Sequence, residues 1–268
     1  MEVLKAILLG VIQGITEFLP VSSSGHLELG KSLFNVVIED NLAFNVAVHV
    51  ATVLSTLVVF RRDIADLVRG LMNRETEAVI FTRNVVVSML PLIPIYLFAK
   101  DPIDRLLDRS VTPENLINGV VGASLLVTGV LLLLTIRVTR HDQRIHAGTA
   151  LLIGMAQAVA VLPGISRSGS TIATGLLLGV DRARMARFSF LMVIPPILAA
   201  AALDIKDMAA SPASIDVAPL LGGFAAAFVT GLVACQWMIG LVKRGGIRWF
   251  AYYCFAVGAV AIILSVVA

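Results

Sequence analysis

Six apolar stretches dominate this 268-residue chain, and each is long enough to cross a membrane. About 20 helical residues span the ~30 Å of hydrocarbon in a bilayer. Apolar residues make up 58% of the chain and charged residues 15%, whereas soluble domains are about half apolar and about a quarter charged. We therefore predict an all-α polytopic membrane protein whose crossings are residues 43–60, 78–99, 116–136, 186–203, 217–241 and 249–267.

Two of these crossings contain prolines in their interior. Pro91 and Pro94 lie in the second crossing, and Pro195 and Pro196 lie in the fourth. Because a proline inside a helix removes a backbone hydrogen bond and clashes with the preceding turn, we expect both crossings to be kinked.

Two further apolar regions, residues 3–33 and 148–180, are each interrupted in the middle by Pro, Gly and Ser. A proline ends or kinks a helix, and backbone groups freed in hydrocarbon must find partners inside the protein. We interpret each region as a re-entrant pair of short helices that enters the membrane and returns, with a Ser loop at its tip. A kinked full crossing is the alternative in each case.

A weak internal repeat supports the paired interpretation. At a constant offset of 144, five residues match five others: Gly10, Gln13, Ser22, Ser24 and Gly25 correspond to Gly154, Gln157, Ser166, Ser168 and Gly169. We predict one membrane domain, residues 1–268, with repeat halves of about 1–136 and 145–268. A re-entrant pair plus three crossings makes each half cross an odd number of times, so the second half is inverted and the two loops can meet. Inverted repeats with interrupted helices are also typical of secondary transporters.

Basic residues predict the orientation, because cytoplasmic loops of membrane proteins carry an excess of Lys and Arg. One side collects Arg61, Arg62, Arg69, Arg74, Arg83, Arg137, Arg140, Arg144, Arg182, Arg184, Arg187, Lys243, Arg244 and Arg248. The other side has only Lys5, Lys31, Lys100, Arg105, Arg109 and Lys206. The Arg-rich side is predicted to be cytoplasmic, and the first re-entrant pair then opens outward.

Two polar residues, Gln13 and Glu17, lie in the apolar segment that precedes the first loop. Gln13 and Glu17 are four residues apart, which places them one helical turn apart on one face. Glu17 could bind a divalent cation, act as a general base or orient His26. A surface carboxylate at a helix end is the structural alternative.

The serines of the first loop crowd hydroxyl groups beside an imidazole: Ser22, Ser23, Ser24 and His26 lie within five residues. Ser attacks phosphorus when a base takes its proton, and His is the usual base. His could also attack directly. An ordinary capped turn without catalytic function is the alternative, since Ser is a favoured N-cap. A cap and a phosphate site can also coincide, because helix N-termini attract phosphate.

The second loop places Arg167 between Ser166 and Ser168 with no acidic residue within ten positions. The guanidinium fork matches a phosphate group with two hydrogen bonds. Thr171 lies one turn further on and can add a hydroxyl donor. The residues predicted to bind the substrate phosphate are Ser22, Ser24, Ser166, Arg167, Ser168 and Thr171. Arg167 could instead be held structurally by Glu17 across the repeat interface.

Other polar residues are weaker candidates. We interpret His49 as a packing histidine within its crossing, and Cys235 and Cys254 as small buried residues outside any disulfide framework. No basic run with interleaved aromatic residues is present, so nucleic acid is not an expected partner.

Two sequence motifs resemble those of a known family, the bacterial undecaprenyl-diphosphatases linked to bacitracin resistance. QGITE at residues 13–17 is similar to the family's (E/Q)xxxE element and is followed by PVSSSGH at 20–26, while PGISRSGST at 163–171 is similar to its PGxSRSxxT element. The resemblance covers the whole chain. It implies removal of the terminal phosphate from the C55 lipid carrier diphosphate at the outer side of the bacterial cytoplasmic (inner) membrane.

The resemblance also implies roles for individual residues and ligands. The implied catalytic or phosphate-binding residues are Glu17, Ser23, His26, Ser166, Arg167 and Thr171. The implied cofactor is a divalent cation, Mg²⁺ or Ca²⁺, at Glu17 and Gln13, although Gln13 stands where many members have Glu. The implied partners are an isoprenoid lipid diphosphate and membrane lipid, and a homodimer is a further prediction. The nucleophile stays open between Ser23, His26 and water, and a lipid-phosphate or anion transporter using the same site is the alternative function.

Overall fold

A computed structural model describes residues 3–33, 41–108, 111–138, 142–210 and 217–267 of the chain. Fourteen α-helices lie within these ranges, with one 3-10 turn at Thr135–Arg137 and one isolated β-bridge between Gln143 and Val180. The helices are α1 Val3–Phe18, α2 Ser23–Leu33, α3 Asn41–Val59, α4 Arg61–Met72, α5 Thr76–Met89, α6 Leu92–Phe98, α7 Lys100–Leu107, α8 Glu114–Leu134, α9 Ala147–Val159, α10 Arg167–Leu177, α11 Arg182–Met192, α12 Ile194–Ala210, α13 Val217–Arg244 and α14 Arg248–Val267.

Among the residues that the structure describes, five segments are long and apolar enough to cross a membrane: Thr76–Phe98, Glu114–Arg137, Arg182–Lys206, Val217–Arg244 and Arg248–Val267. A sixth candidate is a broken pair, in which Ala43–Val59 and Arg61–Met72 meet at an angle of 72°. The predicted all-α polytopic membrane fold is confirmed, and every predicted crossing coincides with one of these segments.

Breaks occur at the prolines, as predicted. Helix α5 ends at Met89, and α6 begins at Leu92 directly after Pro91. Helix α11 ends at Met192, and the prolines Pro195 and Pro196 lie in the first turn of α12. Proline is tolerated in a first helical turn because its missing N–H group would have no helical partner there.

The second interrupted region is a re-entrant helix pair. The backbone of Gln143, just before α9, forms two hydrogen bonds with the segment just after α10. The Gln143 N–H group donates to the Gly179 carbonyl at 2.9 Å, and the Asp181 N–H group donates to the Gln143 carbonyl at 3.3 Å. The beginning of α9 and the end of α10 therefore lie together, so the pair enters and leaves on one side. Helices α1 and α2 likewise pack against each other.

The helix bounds follow the 144-residue offset. Helices α2 and α10, at Ser23–Leu33 and Arg167–Leu177, have first residues 144 apart and last residues 144 apart. The first residues of α1 and α9 are also 144 residues apart. Helix α1 packs on α13 and α9 packs on α5, so each re-entrant pair contacts the middle crossing of the other half. Helices α8 and α14, the last crossings of the two halves, pack on each other.

Arginine-bearing segments share one face, as the charge pattern predicts. Arg187 Nε of α11 lies 2.8 Å from Asp63 Oδ1 of α4, and Arg144 Nη1 lies 3.0 Å from Glu77 Oε1 of α5. Arg109, Arg140 and His141 lie outside the described residues. We refer to the face formed by α4, the start of α5, the segment before α9 and the start of α11 as the Arg-rich face.

Close contact between α1 and α13 depends on glycines. A methyl group on Gly10 would overlap the Gly223 backbone, and one on Gly14 would overlap Thr230 and the Ala227 carbonyl. Small residues four apart allow membrane helices to approach closely. The contact matters for the site because α1 also carries Gln13 and Glu17.

We expect Gly10→Ala to lower the apparent melting temperature of the protein in detergent. Overpacking a tight contact costs about 1–3 kcal/mol, and here the obstacle is backbone that cannot rotate away. Gly240→Ala on α13 is the matched control, because no neighbouring atom lies within 4 Å of the position of its added methyl group. Equal melting temperatures for the two variants would contradict the prediction.

Candidate active site

The tips of the two re-entrant pairs meet. Ser168 Oγ of the second tip donates to the Leu19 carbonyl of the first at 3.0 Å. A methyl group on Gly25 would come within 2.9 Å of the Gly164 Cα, so the two backbones touch. The two polar loops, far apart in sequence, thus form one structure.

Serines 144 residues apart cap the two returning helices. Ser22 Oγ accepts from Gly25 N–H at 3.3 Å, and Ser166 Oγ accepts from Gly169 N–H at 3.0 Å. Ser22 has a φ of 71°, in the left-handed region that non-glycine residues seldom occupy, and functional sites often hold such strained residues. Two helix N-termini, which favour anions, therefore converge at the joined tips.

The flanking serines extend each cap. Ser24 Oγ lies 3.3 Å from Ser22 Oγ, and Ser168 Oγ lies 3.2 Å from Ser166 Oγ. All four hydroxyl-bearing residues line the same cavity. The structure therefore brings together the serines that the sequence assigned to phosphate binding.

Glu17 is the centre of the polar contacts. Its Oε1 atom pairs with Arg167 Nη2 of the opposite loop. Its Oε2 atom accepts from Ser23 Oγ at 2.5 Å and from Gln13 Nε2 at 2.9 Å. Glu17 is only 8% exposed, so an unpaired charge there would be costly and the arginine compensates it. The ion pair across the repeat interface, which the sequence left as a structural alternative, is present and lies inside the site.

A cavity of about 400 Å³ lies between the joined tips and helices α3, α6 and α12. Its polar lining comprises Thr16, Glu17, Ser22, Ser23, Ser24, His49, Gln157, Ser166, Arg167 and Ser168, and its apolar walls include Leu92, Ile95, Val161, Ile165, Pro196, Ile197 and Ala200. We refer to this space as the central cavity.

The central cavity extends along α6 and α12 to Tyr96 and Asp204. These helices lead away from the Arg-rich face, since α5 and α11 begin there. At 1.5 Å per residue, about 20 helical residues from Arg182 to Asp204 correspond to roughly 30 Å. The Tyr96–Asp204 end of the cavity therefore lies on the side opposite the Arg-rich face.

Three predicted site residues, Gln13, His26 and Thr171, do not line the central cavity. His26 Nδ1 lies 2.8 Å from the Ser22 carbonyl, which can only accept, so Nδ1 carries the proton and Nε2 of a neutral ring accepts from Tyr253 OH at 2.8 Å. Thr171 Oγ1 lies 2.7 Å from Ser189 Oγ and also bonds backbone carbonyls of its own helix. Their direct contact with substrate stays a prediction without support from this arrangement.

Five polar cavity residues were missed as site candidates: Thr16, His49, Tyr96, Gln157 and Asp204. His49, interpreted from the sequence as a packing histidine, lines the central cavity while its Nδ1 lies 2.7 Å from the Asn45 carbonyl. Gln157 also lines the cavity. The repeat had matched Gln157 with Gln13, so a signal for it was present in the sequence, whereas an isolated histidine in an apolar crossing gives none.

The donor atoms around Glu17 can be tested against a divalent cation. The described residues contain no group of three or more His, Cys, Asp and Glu side chains that could hold a metal ion. Gln13 Oε1, however, is buried and has no hydrogen-bond partner within the described ranges. Mg²⁺ is often held by one or two carboxylates together with substrate phosphates. Glu17 lines the central cavity, whereas Gln13 contacts Glu17 from outside the lining. Glu17, with the unpaired Gln13 Oε1 atom on its neighbour, therefore fits a cation only where a phosphate ligand supplies further oxygens, and a site made of protein ligands alone does not fit.

Comparison with known proteins decides the family. The family model described as bacitracin resistance protein BacA matches residues 6–260. The chain belongs to this family. A protein of Bacteroides fragilis (strain YCH46) named undecaprenyl-diphosphatase is 49% identical over 273 residues, covering 99% of each chain. Proteins of the same name from Christiangramia forsetii and Desulfosudis oleivorans are 45% and 41% identical, with 99% and 98% of each chain covered.

Proposed function

We propose that this BacA-family protein hydrolyses undecaprenyl diphosphate to undecaprenyl phosphate and inorganic phosphate, which recycles the lipid carrier for cell-wall synthesis. One observation carries the proposal: Arg167 and Ser23 both contact Glu17 at one end of a cavity, and apolar walls lie between that end and Tyr96 and Asp204. The polar end suits a diphosphate, and the apolar walls suit an isoprenoid chain. The names of the similar proteins support the same reaction.

Binding begins with an exchange of partners at Arg167. In the free protein the guanidinium group pairs with Glu17. A diphosphate in the central cavity offers a stronger and bidentate partner, with hydroxyl groups and backbone N–H groups of the two caps nearby. The exchange releases Glu17 Oε1 from Arg167, while Glu17 Oε2 stays in contact with Ser23 and can accept its proton.

The 2.5 Å contact between Ser23 Oγ and Glu17 Oε2 points to the attacking group. Ser23 Oγ attacks the terminal phosphorus while its proton passes to Glu17, and the bond from that phosphorus to the bridging oxygen breaks to release undecaprenyl phosphate. A water molecule then attacks the phosphoserine, which releases phosphate and returns Ser23 to its hydroxyl form. Arg167 and the cap N–H groups stabilise the charge on the transferred group.

A divalent cation, Mg²⁺ or Ca²⁺, is part of this proposal. The unpaired Gln13 Oε1 and the Glu17 carboxylate would hold it together with the substrate's phosphates. Such an ion supplies charge neutralisation of the diphosphate when bound.

The proposal includes the location. The protein would lie in the bacterial cytoplasmic membrane, with the Arg-rich face toward the cytoplasm and the Tyr96–Asp204 end of the central cavity toward the outside. Substrate and phosphate would then enter and leave on the outer side. A homodimer remains a prediction.

Phosphate release from undecaprenyl diphosphate by purified protein in detergent tests the function. We expect release with Mg²⁺ or Ca²⁺ and loss of release with EDTA. If folded wild-type protein binds the lipid without releasing phosphate, the hydrolase function is rejected in favour of a transporter. The names of the similar proteins do not favour a transporter.

Ser23→Ala should lower kcat at least ~10³-fold, because removal of an attacking group leaves only positioning and charge stabilisation. Labelled substrate with ³²P in the terminal phosphate should transfer label to wild-type protein and not to the variant. Ser32→Ala on the same helix is a matched control outside the cavity lining and should retain activity. Full activity of Ser23→Ala would reject Ser23 as the attacking group and leave His26 and water as the alternatives.

A further inference from the structure

Gln157 is a buried amide whose hydrogen-bonding groups are unused. The residue is 2% exposed, and neither its Nε2 nor its Oε1 atom has a hydrogen-bond partner in the part of the chain that the structure describes. Buried side-chain amides nearly always have partners. Since Gln157 lines the central cavity with Glu17 and Arg167, a ligand in that cavity is the natural partner.

The repeat explains why this amide is unused. In the first half, Gln13 donates its Nε2 to Glu17 at 2.9 Å. In the second half, the residue 144 positions beyond Glu17 is Val161, whose side chain has no hydrogen-bond acceptor. The two glutamines therefore differ in function: Gln13 is bonded to the carboxylate, whereas the Nε2 donors of Gln157 remain free for another acceptor.

Charge in the cavity indicates which acceptor is suitable. Nε2 offers two N–H donors, and the cavity's ligand must also suit Arg167 and the serine hydroxyls at the same end. Anionic oxygens satisfy all three kinds of donor. We propose that Gln157 is a substrate-positioning residue that donates from Nε2 to a phosphate oxygen of the lipid diphosphate, an inference that rests on the proposed function.

Kinetics of two variants test the role. Gln157→Leu removes the donors and the acceptor, and we expect KM to rise about 10- to 100-fold, the effect of one hydrogen bond to a charged group. The value of kcat should stay within about threefold, because a contact made equally in the bound and transition states affects KM. Gln157→Glu keeps the shape but replaces donors with a carboxylate, so its KM should rise at least as much.

Stability provides a readout that a structural role would not give. Because the amide has no partner in the free protein, Gln157→Leu should leave the melting temperature unchanged or higher. Asn84→Leu is the matched control: Asn84 is 2% exposed, does not line the central cavity and donates Nδ2 to the Ile145 carbonyl at 2.7 Å. It should lower the melting temperature and leave KM unchanged.

Inorganic diphosphate separates the inference from the proposed function. It should raise the melting temperature of wild type, and the shift should be reduced in both Gln157 variants even if no lipid is hydrolysed. Wild type that hydrolyses the lipid while Gln157→Leu or Gln157→Glu keeps the wild-type KM would overturn the inference alone. A Glu variant with wild-type KM and a reduced Mg²⁺ requirement would overturn it in favour of a metal ligand.

Discussion

Replacement of Arg167 by Ala should lower kcat/KM at least ~10³-fold, the range over which an arginine stabilises phosphoryl transfer. KM should rise and kcat should fall together, because Arg167 binds the diphosphate before and during the reaction. Phosphate release from undecaprenyl diphosphate measures the effect. Arg167→Lys should retain only part of the activity, since an ammonium group cannot form the two parallel hydrogen bonds of a guanidinium group.

Loss of folding could imitate this result, because removing one member of a buried ion pair costs about 3–5 kcal/mol. A double variant separates the two causes. Arg167→Ala combined with Glu17→Ala removes both charges, so its melting temperature should recover relative to Arg167→Ala alone while activity stays absent. Recovery of activity in the double variant would contradict a direct role for Arg167.

Replacement of Glu17 by Gln should lower kcat at least ~10²-fold and leave KM unchanged or lower. The variant loses the acceptor for the Ser23 proton, and general base catalysis contributes about 10²- to 10⁴-fold. It also frees Arg167 from its counter-charge, which should strengthen the binding of anions. The steady-state kcat and KM values, measured separately, check this expectation.

Inorganic phosphate provides a second measurement on the same variant. We expect it to inhibit Glu17→Gln at a lower concentration than wild type, because Arg167 no longer exchanges partners. Thr230→Val on α13 is the control: Thr230 Oγ1 bonds the Ala226 carbonyl and the residue lies outside the cavity lining, so the loss of its hydroxyl group should leave kcat nearly unchanged. A rise in KM for Glu17→Gln would contradict the exchange mechanism.

The fold was largely predictable because hydrocarbon imposes simple rules on the sequence. Length and apolarity identified the crossings, and the prolines near residues 91 and 195 identified the helix breaks. The 144-residue repeat paired the two Ser loops. The first two signals depend on residues close together in the chain, and the repeat compares two such local segments.

The central cavity was only partly predictable. The serines and Arg167 were recognisable from their chemistry in an apolar context, and the Glu17–Arg167 pair was foreseen as an alternative. The contact between the His26 ring and Tyr253 was not predictable, because the two residues are 227 positions apart in the chain. His49 reaches the cavity because of how α3 packs, which no local pattern encodes.

The joining of the two loops has a consequence for biosynthesis. Glu17 and Arg167 are 150 residues apart, and chains grow at about 5–20 residues per second. The first helix pair is therefore made roughly 10–30 s before its arginine exists, and during that time its carboxylate must stay protonated, remain near water or be held by the insertion machinery. Assembly of this membrane protein has to wait for its second half before the charge can be buried.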